Sequence, residues 1–365
     1  MAIRGSNPGG RGALKRLSEF SLHDLDSVSL ILRGGSVIDW HRLNLTGPEM
    51  VRDFVRNHEL DPDSERDQAY LRGVQEQATS YLQRNFNFAM PKPVRGASFA
   101  ELVLMASAPG SGHRQQCACT ILKVMQIINH MAGRELLFRL PVSDRDLFHL
   151  VEEKVYRVVG QMLSEGFPIT EFVGGRKNLD STYTKLLSKR ESTAVAIYDK
   201  LRFRIVTRDR EDILPVLLYL SERLFPFNYV VPNQSTNTMF DFEAFCSTLP
   251  ELAPLVPQMQ DRDEGDLGGI DNRFSAREYR TIQFISDVPV RVPPHILDVA
   301  PSGTADLGRV VYMLCEIQLI DAETEAANET GSANHRAYKE RQREAVFRRL
   351  RLGTRTPKDP REQSS

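Results

Sequence analysis

Apolar residues run almost unbroken through RVVYMLCEIQLI, residues 309–320. In an extended chain side chains alternate faces, so Val311, Met313, Cys315, Ile317 and Leu319 share one face. Tyr312, Leu314, Glu316, Gln318 and Ile320 share the other. A strand apolar on both sides belongs inside a sheet covered by other layers. Glu316 and Gln318 are out of keeping with that, since an isolated buried charge is very costly.

Elsewhere the pattern divides the chain in two. From Phe20 to about Phe88 the periodicity predicts helices over LHDLDSVSLIL, PEMVRDFVRNH and SERDQAYLRGVQEQATSYLQRNF. A hairpin is predicted where the RGGS turn precedes VIDWHRL. After the joint MPKPVRGA come a short helix, FAELVLMASA, and a longer one, CACTILKVMQIINHMAG. Ser143 with Asp146 then marks a helix start in SDRDLFHLVEEKVYRVVGQMLSEG.

Beyond Gly166 short strands alternate with helices. The strands are PITEFVGG, AVAIYDKLRFRIVT, FNYVV, the run from EYRTIQFI to VPVRV, and RVVYMLCEIQLI. Helices are predicted through STYTKLLSKR, REDILPVLLYLSERL and the closing NHRAYKERQREAVFRRLR. The expected class is α+β, with an additional mostly helical N-terminal region. The expected division is a disordered start at 1–18, a helical region of unknown use at 19–110, a second domain at 111–352 and a disordered tail at 353–365. Within the second domain, 233–272 and 294–308 read as insertions, since structureless loops above about 15 residues are uncommon in compact domains.

Composition narrows the class only modestly. The 365 residues carry 47 basic and 48 acidic side chains, so no overall charge advertises a nucleic-acid or membrane partner. No apolar run approaches the roughly 20 residues that span a bilayer, and MAIRGSNPGGRGALKR lacks a signal segment. A cytoplasmic protein is expected. The four cysteines form no CxxC pair and are expected reduced.

Three constellations could carry chemistry. In GGRKNLDSTYTKLLSKR, Lys177, Ser181, Lys185 and Lys189 fall four apart on one helix face, with Leu179, Tyr183, Leu186 and Leu187 opposite. Gly174, Gly175 and Arg176 before that helix would let an anion approach its free N–H groups. The same row also reads as a solvated lysine face. In AIYDKLRFRIV, Asp199 shares a face with Leu201, Phe203 and Ile205, while Lys200, Arg202 and Arg204 project oppositely. Such a carboxylate is paired, protonated or metal-bound. Glu316 with Gln318 is the third. Two carboxylates near a row of cations suit metal-dependent phosphoryl or pyrophosphoryl transfer, but a salt bridge would equally account for Glu316.

The order of these motifs resembles the RelA/SpoT-type alarmone synthetases. The family's Gly-Arg-x-Lys helix start is matched by Arg176, Lys177, Ser181 and Lys185, and its D-x-x-G-x-R strand by Asp199 and Arg204. Its G-Y-x-S-x-H is similar to EYRTIQ, with Tyr279, and its E-x-Q to Glu316 and Gln318. The family's A-E-x-G-x-A-A-H-W-x-Y-K resembles NETGSANHRAYK, aligning Glu329, Gly331, Ala333, His335, Tyr338 and Lys339 without a gap.

The resemblance implies a nucleotidyltransferase-like mixed sheet flanked by helices, and a Mg²⁺-dependent transfer of the β,γ-pyrophosphate of ATP to the 3′-hydroxyl of GDP or GTP. It implies that Arg176, Lys177, Ser181, Lys185 and Arg204 bind ATP, and that Asp199 and Glu316 hold Mg²⁺. Glu316 would also be the base, Tyr279 would stack on the acceptor base, and Gln318 would position its neighbour or the acceptor ribose. Toxin-like relatives that modify adenine nucleotides or tRNA 3′-ends, and a catalytically silent nucleotide-binding module, are the alternatives. A homo-oligomer is compatible with either.

Several positions depart from the family pattern. Glu278, Thr281 and Gln283 stand for its glycine, serine and histidine, Arg202 for a small residue and Arg336 for tryptophan. The acceptor pocket is therefore where specificity is most open. The only His-Asp pair, His23-Asp24, has no histidine before it, so a family-type hydrolase is not expected.

Overall fold

A computed structural model describes residues 14–33, 45, 47–108, 112–176, 179–188, 201–259, 279–330 and 335–350. The N-terminal part holds α1 (Leu22–Arg33), α2 (Pro48–Asn57), α3 (Glu65–Phe86), the single turn α4 (Lys92–Arg95) and α5 (Phe99–Ser107). Two long helices follow, α6 (His113–Arg139) and α7 (Asp144–Ser164). As the sequence predicts, α7 opens with a reciprocal cap. The Ser143 hydroxyl accepts the Asp146 N–H, and the Asp146 carboxylate accepts the Ser143 N–H. The expected hairpin near the RGGS turn lies mostly outside the described residues.

The chain then alternates β1 (Ile169–Arg176), α8 (Leu179–Ser188), β2 (Leu201–Thr207) and α9 (Ile213–Arg223). After β3 (Thr236–Asn237) come α10 (Phe242–Thr248), α11 (Val256–Met259), β4 (Ile282–Arg291) and α12 (Pro294–Leu297). The described part ends with β5 (Val310–Asp321), α13 (Ala322–Thr330) and α14 (His335–Leu350). The five strands form one mixed sheet in the order β1-β2-β5-β4-β3. Among the described strands only β2 and β5 run parallel. The architecture is thus α+β, a mixed sheet flanked by helices.

β5 is central, and that explains its composition. It pairs with β4 from Val310 to Leu319 and with β2 from Cys315 to Asp321. Its odd-numbered face, with Leu201, Phe203, Ile205 and Phe284 of the neighbouring strands, is sealed within the main core. That core includes Val151, Val155 and Met162 of α7 and Leu25, Val28 and Ile31 of α1. Each such side chain, fully buried, contributes about 1.5–3 kcal/mol relative to exposure.

A second apolar cluster joins α3, α5 and α6 through Ala78, Leu102, Ala118 and Ile121. α6 ties the two together, because its Leu136 enters the main core and its Gly133 lies against Tyr312 of β5. A side chain at Gly133 would sit 2.6 Å from the tyrosine ring, so glycine is what permits the approach.

Two expectations need correction. FNYVV is not a strand: Phe227–Tyr229 forms a 3₁₀ turn, followed by one isolated bridge from Val230 to Ser286. An aromatic, β-branched run reads locally as a strand, but here Tyr229 is used to fill a buried aromatic group with Tyr312 and His130. The supposed insertion at 233–272 is also more ordered than expected over residues 233–259. β3 extends the sheet, and Phe242, Cys246, Leu252 and Val256 join the main core.

Candidate functional site

The even-numbered face of β5 is built by register. Glu316 lies opposite Arg202 of β2 and Ile285 of β4, while Gln318 lies opposite Arg204 and Gln283. On the next strand Gly175 pairs with Arg202, and Val173 with Arg204. Residues paired across a sheet point to the same side. One face therefore carries Arg202, Arg204, Glu316, Gln318 and Gln283 in two adjacent rows.

Glu316 is 1% exposed, and the side chains of Arg202 and Gln318 hold it. Arg202 meets both its oxygens, Nε lying 2.8 Å from Oε1 and Nη2 3.1 Å from Oε2. Gln318 Nε2 donates to Oε1 at 2.7 Å and also approaches Gln283 Oε1 at 3.2 Å. The ion pair with Arg202, whose Nη2 donates to Oε2, and the amide of Gln318 offset the carboxylate's lost hydration, which is how a charge survives within the central strand. Arg202 itself is 39% exposed at its side chain.

Two more of the expected ATP-binding cations, Arg204 and Arg176, are likewise paired. Arg204 Nη2 lies 2.9 Å from Glu325 Oε1 on α13. Burial raises the Glu325 carboxyl above its usual range, and Arg204 opposes that rise. Arg176 forks onto Glu152 of α7 at 3.0 and 2.9 Å, donates to Arg145 O at 3.2 Å, and lies over the Phe148 ring at 5.6 Å.

Tyr279 stands just before β4, beyond the Ile282–Leu319 pair. Its carbonyl accepts from Thr238 Oγ1 at 3.2 Å. The next residue, Arg280, is bracketed by Asn328 of α13, which accepts its N–H at 3.1 Å and donates to its carbonyl at 2.8 Å. Asp321 at the end of β5 starts α13 by accepting the Thr324 N–H and hydroxyl, each at 2.8 Å. The E-x-Q strand, the segment after Tyr279 and α13 are thus one hydrogen-bonded unit.

Asp199 and Lys177 lie outside the described residues. Ser181 and Lys185 fall on α8, whose opposite side differs from expectation. Tyr183 and Leu187 are 55% and 40% exposed. α8 packs against α14, so its apolar residues do not all face the sheet. Lys339 of the NETGSANHRAYK motif is exposed on α14, which begins at His335.

As arranged, the described residues do not fit a Mg²⁺ ion. Both oxygens of Glu316 face a guanidinium, which would repel a cation at close range. Among the described residues no cluster of three His, Cys, Asp or Glu could hold a metal. Sequence reasoning treated Arg202 as a departure and did not connect it with Glu316. Gln283, Glu325, Glu152 and Asn328 were missed as partners. The available signal was parity, since Arg202 and Arg204 share a strand face, but the register that sets them opposite Glu316 and Gln318 is not written locally.

No family model and no curated protein matches the chain. Among the described residues no helix is long and apolar enough to cross a membrane. Among solved structures, the chain is similar to small alarmone synthetase 1 from Bacillus subtilis, at 15% identity and a TM-score of 0.30 over 57% of this chain and 91% of that one. It is similar to small alarmone synthetase 2 from the same organism, at 17% identity and a TM-score of 0.28 over 60% and 92%. A GTP pyrophosphokinase family protein from Streptococcus pneumoniae is similar at 13% identity and a TM-score of 0.30, over 56% and 84%. Likeness this remote carries nothing about the site's chemistry, which stands on the residues themselves.

Proposed function

We propose that this protein is a nucleotide pyrophosphotransferase that moves the β,γ-pyrophosphate of ATP to the ribose 3′-hydroxyl of a nucleotide, with GDP or GTP the favoured acceptor. The observation that carries the reading is the Glu316–Gln318 pair, buried on the central strand opposite Arg202 and Arg204. The sequence around it resembles the alarmone-synthetase motifs in order. In the proposed reaction the 3′-oxygen attacks the β-phosphorus, the bond from that phosphorus to the α–β bridging oxygen breaks, and AMP leaves. Glu316 takes the hydroxyl proton, and Gln318 holds the carboxylate in place.

Arg202 and Arg204 are suited to the triphosphate because a guanidinium fork binds phosphate as readily as carboxylate. Mg²⁺, when bound, would offset triphosphate charge. Tyr279 is proposed to stack on the acceptor base, and Arg176, Lys177, Ser181 and Lys185 to line the ATP side. Gln283, in place of the family's histidine, approaches Gln318, so acceptor choice need not follow the family.

The test is incubation of the intact chain with γ-labelled ATP and Mg²⁺ plus GDP, GTP, AMP or tRNA, with product separation. Label on one acceptor together with AMP release is expected. Glu316→Gln should abolish it, and equal product from that variant would remove Glu316 from the mechanism.

One observation favours a second reading, a catalytically silent nucleotide-binding module. Arg176, Arg202 and Arg204 each already face a carboxylate, Glu152, Glu316 and Glu325 respectively. Nucleotide binding without product from any acceptor would decide for it.

A further inference from the structure

The segment that leads into β5, marked by the sequence as an insertion at 294–308, folds back on the start of α3. Gly308, at φ 80°, carries the backbone against the Tyr70 ring of α3, where an added Cβ would meet Cζ at 2.9 Å. A cavity of about 110 Å³ opens beside that contact, between Arg66 on the first turn of α3 and residues 294–309. A single water needs roughly 10–15 Å³ of such space, so the cavity has room for one small polyatomic ion. Of its lining, Thr304 is buried and Arg309 half-buried, while Arg66, Pro294 and Asp298 are exposed, so the cavity is reached from solvent.

The lining holds two guanidinium groups without an anionic partner. Arg309 Nε is buried with no hydrogen bond, and among the described residues neither Arg309 nor Arg66 forms an ion pair. A buried N–H donor left without an acceptor is costly. Arg291, next to the Val292 that donates to Arg309 O at 2.8 Å, differs in that Asp67 takes its charge.

We propose that this cavity binds inorganic phosphate, with Arg66 and Arg309 as its cationic ligands and Asp298 as the acceptor of its remaining proton. Guanidinium groups present donors in the planar arrangement that matches phosphate oxygens. A carboxylate in the lining favours an anion that keeps a P–OH, so hydrogenphosphate is preferred to sulfate or to a phosphate monoester dianion, which have no proton to donate. The site is separate from the candidate nucleotide site, since from 309 to 316 the strand covers about 20 Å, and it stands independently of the transferase reading. Bound phosphate joins α3 to the entry of β5, and so stabilises the folded chain by mass action.

The experiment is calorimetric titration of the full chain with phosphate at about pH 7.5, where a phosphate monoester is almost fully ionised. NaCl holds the ionic strength constant, and thermal unfolding is followed in the same solutions. The unaltered protein is compared with Arg66→Gln, Arg309→Gln, Asp298→Asn and Arg204→Gln. Phosphate should raise the melting temperature, and should bind Arg66→Gln and Arg309→Gln at least tenfold more weakly. Arg66 is exposed, so its variant serves where Arg309→Gln does not fold. Sulfate and glycerol phosphate should bind at least fivefold more weakly than phosphate, and Asp298→Asn should remove that preference. Arg204→Gln should bind phosphate as the unaltered protein does.

No binding beyond the NaCl control would mean that water alone fills the cavity, and would overturn the proposal. So would equal phosphate affinity in the unaltered protein and in Arg66→Gln and Arg309→Gln. A loss confined to Arg204→Gln would place the anion on the sheet face instead. Sulfate or glycerol phosphate bound as tightly as phosphate would overturn the role of Asp298 and the assignment to inorganic phosphate.

Discussion

Asp67, near the start of α3, grips Arg291 at the end of β4 through both carboxylate oxygens, at 2.7 and 3.2 Å. Arg291 also donates to Glu59 O at 2.8 Å, and Asp67 accepts the Asp61 N–H at 2.8 Å. The helical N-terminal part is therefore bolted to the sheet by a charge pair as well as by apolar packing. Asp67→Asn is expected to cost about 2 kcal/mol in urea unfolding, below the roughly 3–5 kcal/mol of a fully buried pair because Arg291 is 32% exposed. An unchanged midpoint would show that the joint is apolar alone.

Two helical glycines should respond with opposite sign. Alanine normally stabilises a helix interior by up to about 1 kcal/mol over glycine. Gly160 on α7 has open space around the added carbon, so Gly160→Ala should raise the melting temperature. At Gly133 the added carbon would meet the Tyr312 ring at 2.6 Å and Val310 O at 2.9 Å, so Gly133→Ala should destabilise by about 1–3 kcal/mol. Thermal unfolding of both variants beside the parent protein checks the pair.

The pH response of Asp287 has a definite direction. Burial raises its carboxyl from 3.8 to about 6, opposed by Arg134, with His130 Nε2 at 3.5 Å. The folded state then holds the proton more tightly than the unfolded state. Stability from this group is present below pH 3.8 and is lost as pH rises to about 6, a change of about 3 kcal/mol. His58 runs the other way, since burial lowers it from 6.5 to about 4 and stability is lost as pH falls across that interval. Relative to the parent protein, Asp287→Asn should gain stability from pH 4 to pH 6.5. Parallel curves of unfolding free energy against pH would contradict this.

The two halves of the Arg202–Glu316 pair should differ in cost. Arg202→Gln strands a carboxylate that is 1% exposed, and should destabilise by about 3–5 kcal/mol. Glu316→Gln leaves a guanidinium that is 39% exposed and can hydrate, so about 1 kcal/mol is expected. Denaturant titration of both variants measures the asymmetry, and equal costs would mean that Glu316 finds another partner.

Much of this fold was legible because it depends on local periodicity. The apolar run of β5 announced a central strand, and Ser143 with Asp146 announced the start of α7. FNYVV misled for the same reason, since its strand-like composition serves aromatic packing of Tyr229 against Tyr312. The candidate site was legible in part. Glu316 and Gln318 drew attention as polar groups in an apolar strand, but their partners could not be found by local pattern. Glu325 and Asn328 carry no signal in the local pattern, and their roles appear only when α13 is laid against the sheet.

By itself the sequence determined that residues 310–321 must be buried and that a carboxylate at 316 must find a compensating charge. Those conclusions follow from alternation along one strand and from the cost of burying an ion. Only the tertiary structure decided that the charge is Arg202, because the partner is set by the parallel register of β2 and β5. A shift of one residue in that register would turn Arg202 to the opposite face and bring Phe203 beside Glu316.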